Sequence, residues 1–317
     1  MATVTHIIEE VMKGNDISQP IILVTHKSNP KFHADEVSAT ALLSMLFNKY
    51  NIQWKLVKTF NPEELGYTDD NPNCIVYDVG MGMYDHHQPD GQNSHCIRID
   101  EDGTVRKYSS VGLIWKEIGH YLVPDEYVDE VYNNLIKYID DNDNGFETNP
   151  LSYCISNMNY PFSSNSNDEI DTVQDLEFNI CVNTMSSFFN NIFTTINVKK
   201  EEEIRVNQFI NEAKANKKQY VISNNYYAGM ANACAREKIP FYIYPNVRGG
   251  WCFRTITPIG EDMNVHFVDI PESVRDWDGI TFLHPNRFLG SAETKEIAIE
   301  TVETIIKMSN YFKEFDY

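Results

Sequence analysis

The run Pro20-Ile21-Ile22-Leu23-Val24-Thr25-His26 is apolar on consecutive rather than alternate positions and ends at a histidine. A strand written this way hides both of its faces, which is the habit of parallel sheets covered on both sides, and its β-branched side chains fit the pleated surface. Parallel neighbours require crossover helices. The next segment supplies one: Glu36 to Tyr50 places Val37, Ala41, Leu42, Met45 and Leu46 at helical spacing, and Gln53 to Thr59 then reads as a strand. Cys74-Ile75-Val76-Tyr77-Asp78 is another short apolar strand, and Ser109 to Leu122 and Asp125 to Ile139 read as successive helices. The alternation predicts an α/β fold with a mainly parallel sheet. In such sheets function collects at the carboxyl ends of the strands, where His26 and Asp78 both fall.

Further along, Asn157 to Asp171 is polar and aperiodic and is expected to be a loop. Helical patterning resumes over Asp175 to Phe193 and Lys200 to Lys217. Gln219 to Ser223, Phe241 to Tyr244, Trp251 to Ile256 and Val265 to Phe267 follow as short strands, closed by a helix over Ala292 to Met308. A chain of 317 residues exceeds what one hydrophobic core usually serves. The expected division is a larger domain over residues 1–195 and a smaller α/β domain over residues 196–317.

Composition narrows the functional classes. With 42% hydrophobic and 23% charged residues the chain has the make-up of a folded globular protein, and no uninterrupted apolar run is long enough to span a bilayer. The first fifteen residues lack both a signal-peptide apolar stretch and an arginine-rich presequence, so the cytosol, or a nucleus reached by another route, is expected. Six cysteines without a CxxC pair suit buried free thiols better than a disulfide frame or a zinc site. A net charge of −20 disfavours a long polyanionic track unless positive charge is supplied locally, as bound divalent cations would do.

Histidine and aspartate cluster in the first half: His26, then His33-Ala34-Asp35, then Asp78, then Asp85-His86-His87. Taken singly, each has an ordinary explanation as a core histidine, a turn cap or a solvated loop. Their recurrence at strand ends is what points to a metal. Mixed imidazole and carboxylate ligands suit manganese, iron or zinc, whereas magnesium and calcium prefer all-oxygen shells, and the lack of a cysteine ligand argues against structural zinc.

His33-Ala34-Asp35-Glu36 after a strand, Asp78, Asp85-His86-His87-Gln88 and the Asp140 to Gly145 run together resemble the DHH phosphoesterase superfamily. Within it the chain resembles the melanocyte-proliferating-gene exonuclease family, long labelled metal-dependent protein hydrolases. Lys107 to Lys116, Asp143-Asn144-Gly145 and Phe282 to Gly290 carry that likeness too, so it spans nearly the whole chain. One departure is the six residues, Lys27 to Phe32, between His26 and His33, where the family pattern is His-x4-His-x-Asp.

The resemblance implies a DHH-type catalytic domain followed by a substrate-binding domain. It implies that His26, His33, Asp35, Asp78, His86 and Asp140 or Asp143 hold two divalent cations, manganese first and magnesium as the alternative. Asp78 would bridge the ions, Asp85 would orient an imidazole, and His87 would lie near the scissile phosphate. Asp140 and Asp143 fit the pattern equally; Asp140 is slightly favoured because it ends an apolar helical run. Arg254, His284 and Arg287 are candidates for gripping phosphate.

Such a site permits hydrolysis of a phosphodiester by in-line attack, with both ions stabilising the entering and leaving oxygens. The expected function is a divalent-metal-dependent phosphoesterase, a 3′–5′ exonuclease on RNA or single-stranded nucleic acid; polymer and polarity rest on the resemblance alone. The alternatives are a phosphoesterase for a small substrate, such as a short oligonucleotide, a cyclic dinucleotide product or polyphosphate, and a non-catalytic metal-stabilised binding protein. Oligomeric state is left open, a homodimer included.

Overall fold

A computed structural model describes residues 3–28, 31–88, 94–159, 167–309 and 311. The chain divides into two compact units, Met1–Asn197 and Val198–Tyr317.

The first unit opens with helix α1 (Val4–Met12) and then builds a β-α-β core from β1 (Ile21–Thr25), α2 (Ala34–Lys49), β2 (Trp54–Lys58) and β3 (Cys74–Val76). The three strands are parallel in the order β2-β1-β3, with Leu23 of β1 opposite both Leu56 and Ile75. Helix α2 is buried at every position except Met45, Asn48 and Lys49. Two of its buried hydroxyls are satisfied by the helix backbone itself. Thr40 Oγ1 donates to Glu36 O at 2.6 Å, and Ser44 Oγ donates to Ala41 O at 2.8 Å. Phe32, Phe47, Tyr77 and Trp115 are among the fully buried side chains of this unit, each contributing roughly 1.5–3 kcal/mol by leaving water.

A hairpin of β4 (Ile97–Ile99) and β5 (Val105–Lys107) precedes α3 (Ser110–Leu122), α4 (Asp125–Val131), a π-helical turn over Tyr132–Ile136, α5 (Lys137–Asp143) and α6 (Pro150–Ser156). The expected loop from Asn157 to Asp171 falls partly on residues 160–166, outside the described residues, and helix starts again at Asn167. Where two helices are expected between Asp175 and Lys217, the structure has one, α7 (Asn167–Ala215). The buried positions run Phe178, Cys181, Val182, Met185, Phe189, Phe193 and Ile196, and then resume at Val206 and Ile210. That gap in the apolar stripe reads as a break, but it contains no glycine or proline to end the helix.

The second unit contains β6 (Tyr220–Ile222), α8 (Met230–Arg236), β7 (Phe241–Pro245), β8 (Trp251–Thr255), β9 (Ile280–Leu283), β10 (Leu289–Ala292) and α9 (Lys295–Ser309). Its sheet has the order β6-β7-β8-β10-β9; only β6 and β7 pair in parallel, so this sheet is mixed. Val265 to Phe267 is irregular rather than a strand, and Ala292 ends β10 instead of starting the terminal helix. Gly249-Gly250 turns β7 into β8, with Asn246 N donating to Gly250 O at 3.0 Å. Both glycines have positive φ, and a Cβ on Gly250 would stand 2.3 Å from Ala292 O. All six cysteines are free and only Cys154 is exposed. Among the described residues no helix is long and apolar enough to cross a membrane.

A Cβ on Gly290 would lie 2.2 Å from Cζ of the buried Phe253. Gly290→Ala is therefore expected to destabilise the protein by roughly 1–3 kcal/mol through overpacking. A chemical-denaturation midpoint equal to that of the parent would contradict this packing.

Candidate metal centre

The three parallel strands deliver His26, Phe60 and Asp78 to adjacent positions, because β1 runs between β2 and β3 and all three end on the same side. Tyr77 N continues the ladder to Val24 O at 2.9 Å, and Asp78 then turns out of it with φ 57°. Aspartate tolerates the left-handed region better than most residues, and strain of this kind is retained where a side chain must be aimed.

Residues that begin α2 complete the cluster. His33 precedes the helix, and its N–H donates to Glu36 Oε1 at 2.6 Å, the backward half of a capping box. Asp35 reaches the start of α3, where Oδ1 accepts from Val111 N at 2.6 Å and Oδ2 from Ser110 N at 2.9 Å. The first amides of a helix have no partner within it and so receive a carboxylate well. Ser109 Oγ stands 2.6 Å from Asp35 Oδ1 and 2.7 Å from Asp140 Oδ1, linking the site to a deeper layer. In that layer Asp140 Oδ2 accepts from Tyr132 Oη at 2.8 Å and from Arg98 Nη1 at 3.3 Å.

At the centre, the Asp78 carboxylate stands between two imidazoles. Its Oδ2 is 3.2 Å from His26 Nε2 and its Oδ1 is 3.4 Å from His86 Nε2. His26 Nε2 is also 3.1 Å from Glu36 Oε1, and His86 Nε2 is 3.0 Å from Asp143 Oδ2. Donor atoms lie within 4.8 Å of one another in three sets: His26, His33 and Glu36; Asp78, His86 and His87; Asp35, His86 and Asp143. Glu36 Oε2, Asp78 Oδ1 and His86 Nε2 are buried without a hydrogen-bond partner of acceptable geometry. Each such atom costs roughly 1–3 kcal/mol unless something satisfies it. Divalent cations fit these donors, and the sets open on a cleft of about 450 Å³ that His26, His33, Asp78, Asp85, His87 and Asp143 help to line.

Protons partly do the work of cations in this arrangement. Burial opposes a charged His26, but hydrogen bonds to Asp78 and Glu36 outweigh it and hold the ring at about 11. Burial likewise opposes a charged His86, and Asp143 and Asp78 raise it to about 11. Asp35 is driven well above the carboxylate range by burial and by the Asp143 and Asp78 charges, and burial also raises Glu36. Burial acts to raise Asp78 as well, yet its imidazole partners keep it below the usual range.

The structure thus brings His26, His33, Asp35, Asp78, His86 and Asp143 together. The longer His26–His33 segment leaves His26 among the donors. Asp140, slightly favoured from sequence, lies one layer behind: it is fully buried, engaged by Ser109, Tyr132 and Arg98, and belongs to none of the three sets. Two residues separate it from Asp143 on α5, and of the two aspartates it is Asp143 that meets His86. Asp85 Oδ1 accepts from His87 N at 2.9 Å and stands 2.8 Å from His87 Nδ1. Glu36 was not singled out from sequence as a donor. Its signal was present in the quoted motif, but neighbours on a helix point about 100° apart, and two acids in succession suggest one role rather than two. Arg254 lies half-buried on β8 of the second unit, whereas His284 and Arg287 belong to the turn between β9 and β10, where Arg287 N donates to His284 O at 2.8 Å.

Imidazoles and carboxylates, several of their atoms buried without a hydrogen bond, converge at parallel strand ends as the donor set of a divalent-metal centre. Residues 22–265 match the family model MYG1_exonuc, described as "Uncharacterised protein family (UPF0160)", and the chain belongs to that family. The MYG1 exonuclease of Rattus norvegicus is 24% identical over 90% of this chain and 84% of its own length. The MYG1 protein YER156C of Saccharomyces cerevisiae is 24% identical over 88% of this chain and 93% of its own. Among solved structures, exonuclease RecJ bound to manganese aligns with 98% of this chain and 95% of its own at 12% identity and a TM-score of 0.29.

Because hydrogen bonds to Asp78, Glu36 and Asp143 outweigh burial and raise the basicity of His26 and His86, binding of a divalent cation to these rings is expected to release protons. Affinity for manganese is expected to rise with pH between about pH 6 and pH 8, by about tenfold per unit for each proton displaced. Calorimetry in two buffers of different ionisation enthalpy measures the release directly. A pH-independent affinity with no proton released would contradict the assignment.

Proposed function

We propose that this protein is a DHH-type phosphoesterase that hydrolyses phosphodiesters with two divalent cations, manganese first, and acts as a 3′–5′ exonuclease on RNA or single-stranded nucleic acid. The observation that carries the reading is the Asp78 carboxylate, each of whose oxygens faces a different imidazole–carboxylate pair. His26, His33, Glu36 and Asp78 would hold one cation, and Asp35, Asp78, His86 and Asp143 the other. Bound there, the pair would activate water and neutralise the charge that develops on phosphorus oxygens. The exonuclease name of mammalian relatives supports a nucleic-acid substrate.

His87 has a separate task. Asp85 occupies its Nδ1, which leaves Nε2 as the nitrogen free to meet substrate, and the ring is 56% exposed on the cleft. The hydrogen bond to Asp85 raises the basicity of His87 against partial burial and the neighbouring His86. In this account His87 enters protonated and gives its proton to the leaving oxygen. Asp85 holds the ring in place, with Oδ2 tied to Met81 N at 2.8 Å. Arg254, His284 and Arg287 are proposed to bind substrate phosphate.

The net charge of −20 favours a second version of the same chemistry, in which the substrate is a short oligonucleotide rather than a long strand. A shallow dependence of binding on salt would favour the short substrate and a steep one the polymer.

His87→Ala is expected to lower kcat by about 10²- to 10⁴-fold while leaving manganese bound. Asp78→Ala is expected to lose both metal and cleavage. Cleavage of end-labelled RNA by Asp78→Ala at the parental rate would refute the mechanism, and the product ladder of the parent reads the polarity.

A further inference from the structure

The cleft that holds the metal donors has a second wall of different chemistry. Phe60, Val79 and Met81 line it, and Phe60 and Met81 are 53% and 60% exposed. Single exposed apolar side chains are common on protein surfaces. These share one small cleft with buried carboxylates.

Phe60 follows β2, and its ring lies within 3° of parallel to the His26 imidazole at a centroid distance of 6.5 Å. Met81 adopts φ 57°, a left-handed conformation that costs an unbranched non-glycine residue free energy. Two contacts hold it: its N–H donates to Asp85 Oδ2 at 2.8 Å, and its carbonyl accepts from Gln88 Nε2 at 2.9 Å. The segments that carry Phe60 and Met81 also meet. A Cβ on Gly80 would lie 2.9 Å from Pro62 Cγ, so the glycine lets the segment after Phe60 pack against the turn that carries Met81. The fold therefore presents an aromatic face and a thioether side chain beside the phosphate chemistry, in a backbone that keeps them out of the core.

We propose that Phe60 and Met81 clamp a nucleobase attached to the phosphate that the metal centre receives. The inference rests on the phosphoesterase reading and narrows it to base-bearing esters, because inorganic polyphosphate gains nothing from an apolar wall. Neither side chain offers a strong donor or acceptor to a base edge, so recognition is by stacking and sulfur contact and tolerates every base. Phe60 and Met81 are substrate-binding residues with no role in proton transfer.

The test uses full-length protein with manganese, and compares adenosine monophosphate with ribose 5-phosphate by calorimetry. A dinucleotide and its analogue lacking the terminal base are compared by turnover. Phe60→Ala is expected to weaken adenosine monophosphate about tenfold and ribose 5-phosphate far less, to raise KM on the dinucleotide with little change in kcat, and to be rescued by Phe60→Tyr. Met81→Ala is expected to act in the same direction, with Met81→Leu closer to the parent. Equal losses with and without the base, or no loss with it, would overturn the clamp. If the parent cleaves neither substrate yet Phe60→Ala still selectively weakens adenosine monophosphate, the clamp stands and the hydrolase reading falls.

Discussion

Asp35, Glu36 and Asp78 are buried, and Asp143 is nearly so, within one cluster at the ends of parallel strands. Two carboxylates about 4 Å apart repel by about 4 kcal/mol at the effective dielectric of such sites, before any cost of leaving water. Protons on His26 and His86 relieve part of that. Divalent cations would relieve more, and would engage carboxylate oxygens that are buried without a hydrogen bond, Glu36 Oε2 and Asp78 Oδ1.

The surrounding architecture serves to keep these like charges together. Central placement of β1 puts His26 beside Asp78, and the enclosed helix α2 begins where both of its acids can face the site. Ser109 connects Asp35 to Asp140, whose carboxylate is pinned by Tyr132 from the π-helical turn and by Arg98 from β4. Gly112 leaves the room this requires: a Cβ there would fall 2.3 Å from Asp140 Oδ2. Arg98, Arg106 and Lys137 all reach Asp141, the neighbour of Asp140, and Arg98 also meets Asp100 at 2.9 Å. The metal donors thus rest on a buried polar layer that is itself charge-balanced.

Much of this was legible in the chain. Continuous apolar runs gave the parallel strands, and the histidines and aspartates at their ends gave the donor atoms that the structure brings together. Signals failed where burial and hydrophobicity part company. In β4 the buried residue is Arg98, while Ile97 and Ile99 face outward at 37% and 73% exposure, so the inverted pattern hid the strand. In α7 an apolar gap suggested a break that no helix-terminating residue supports. Asp140 and Asp143 could not be separated without the helix phase that turns one toward Ser109 and the other toward His86. Glu36 was obscured by its neighbour, since which acid faces the site depends on where α2 begins.

The proposed chemistry requires that the carboxylate cluster hold two divalent cations. Its most direct test is a manganese titration of the purified protein, with bound ion counted by spin resonance and thermal unfolding followed in the same samples. Two ions per chain are expected, with a melting temperature that climbs with free metal, by about 2.7 kcal/mol of added stability at a hundredfold excess over the dissociation constant of one site. A protein that binds no manganese, and melts at the same temperature with and without it, would contradict the claim.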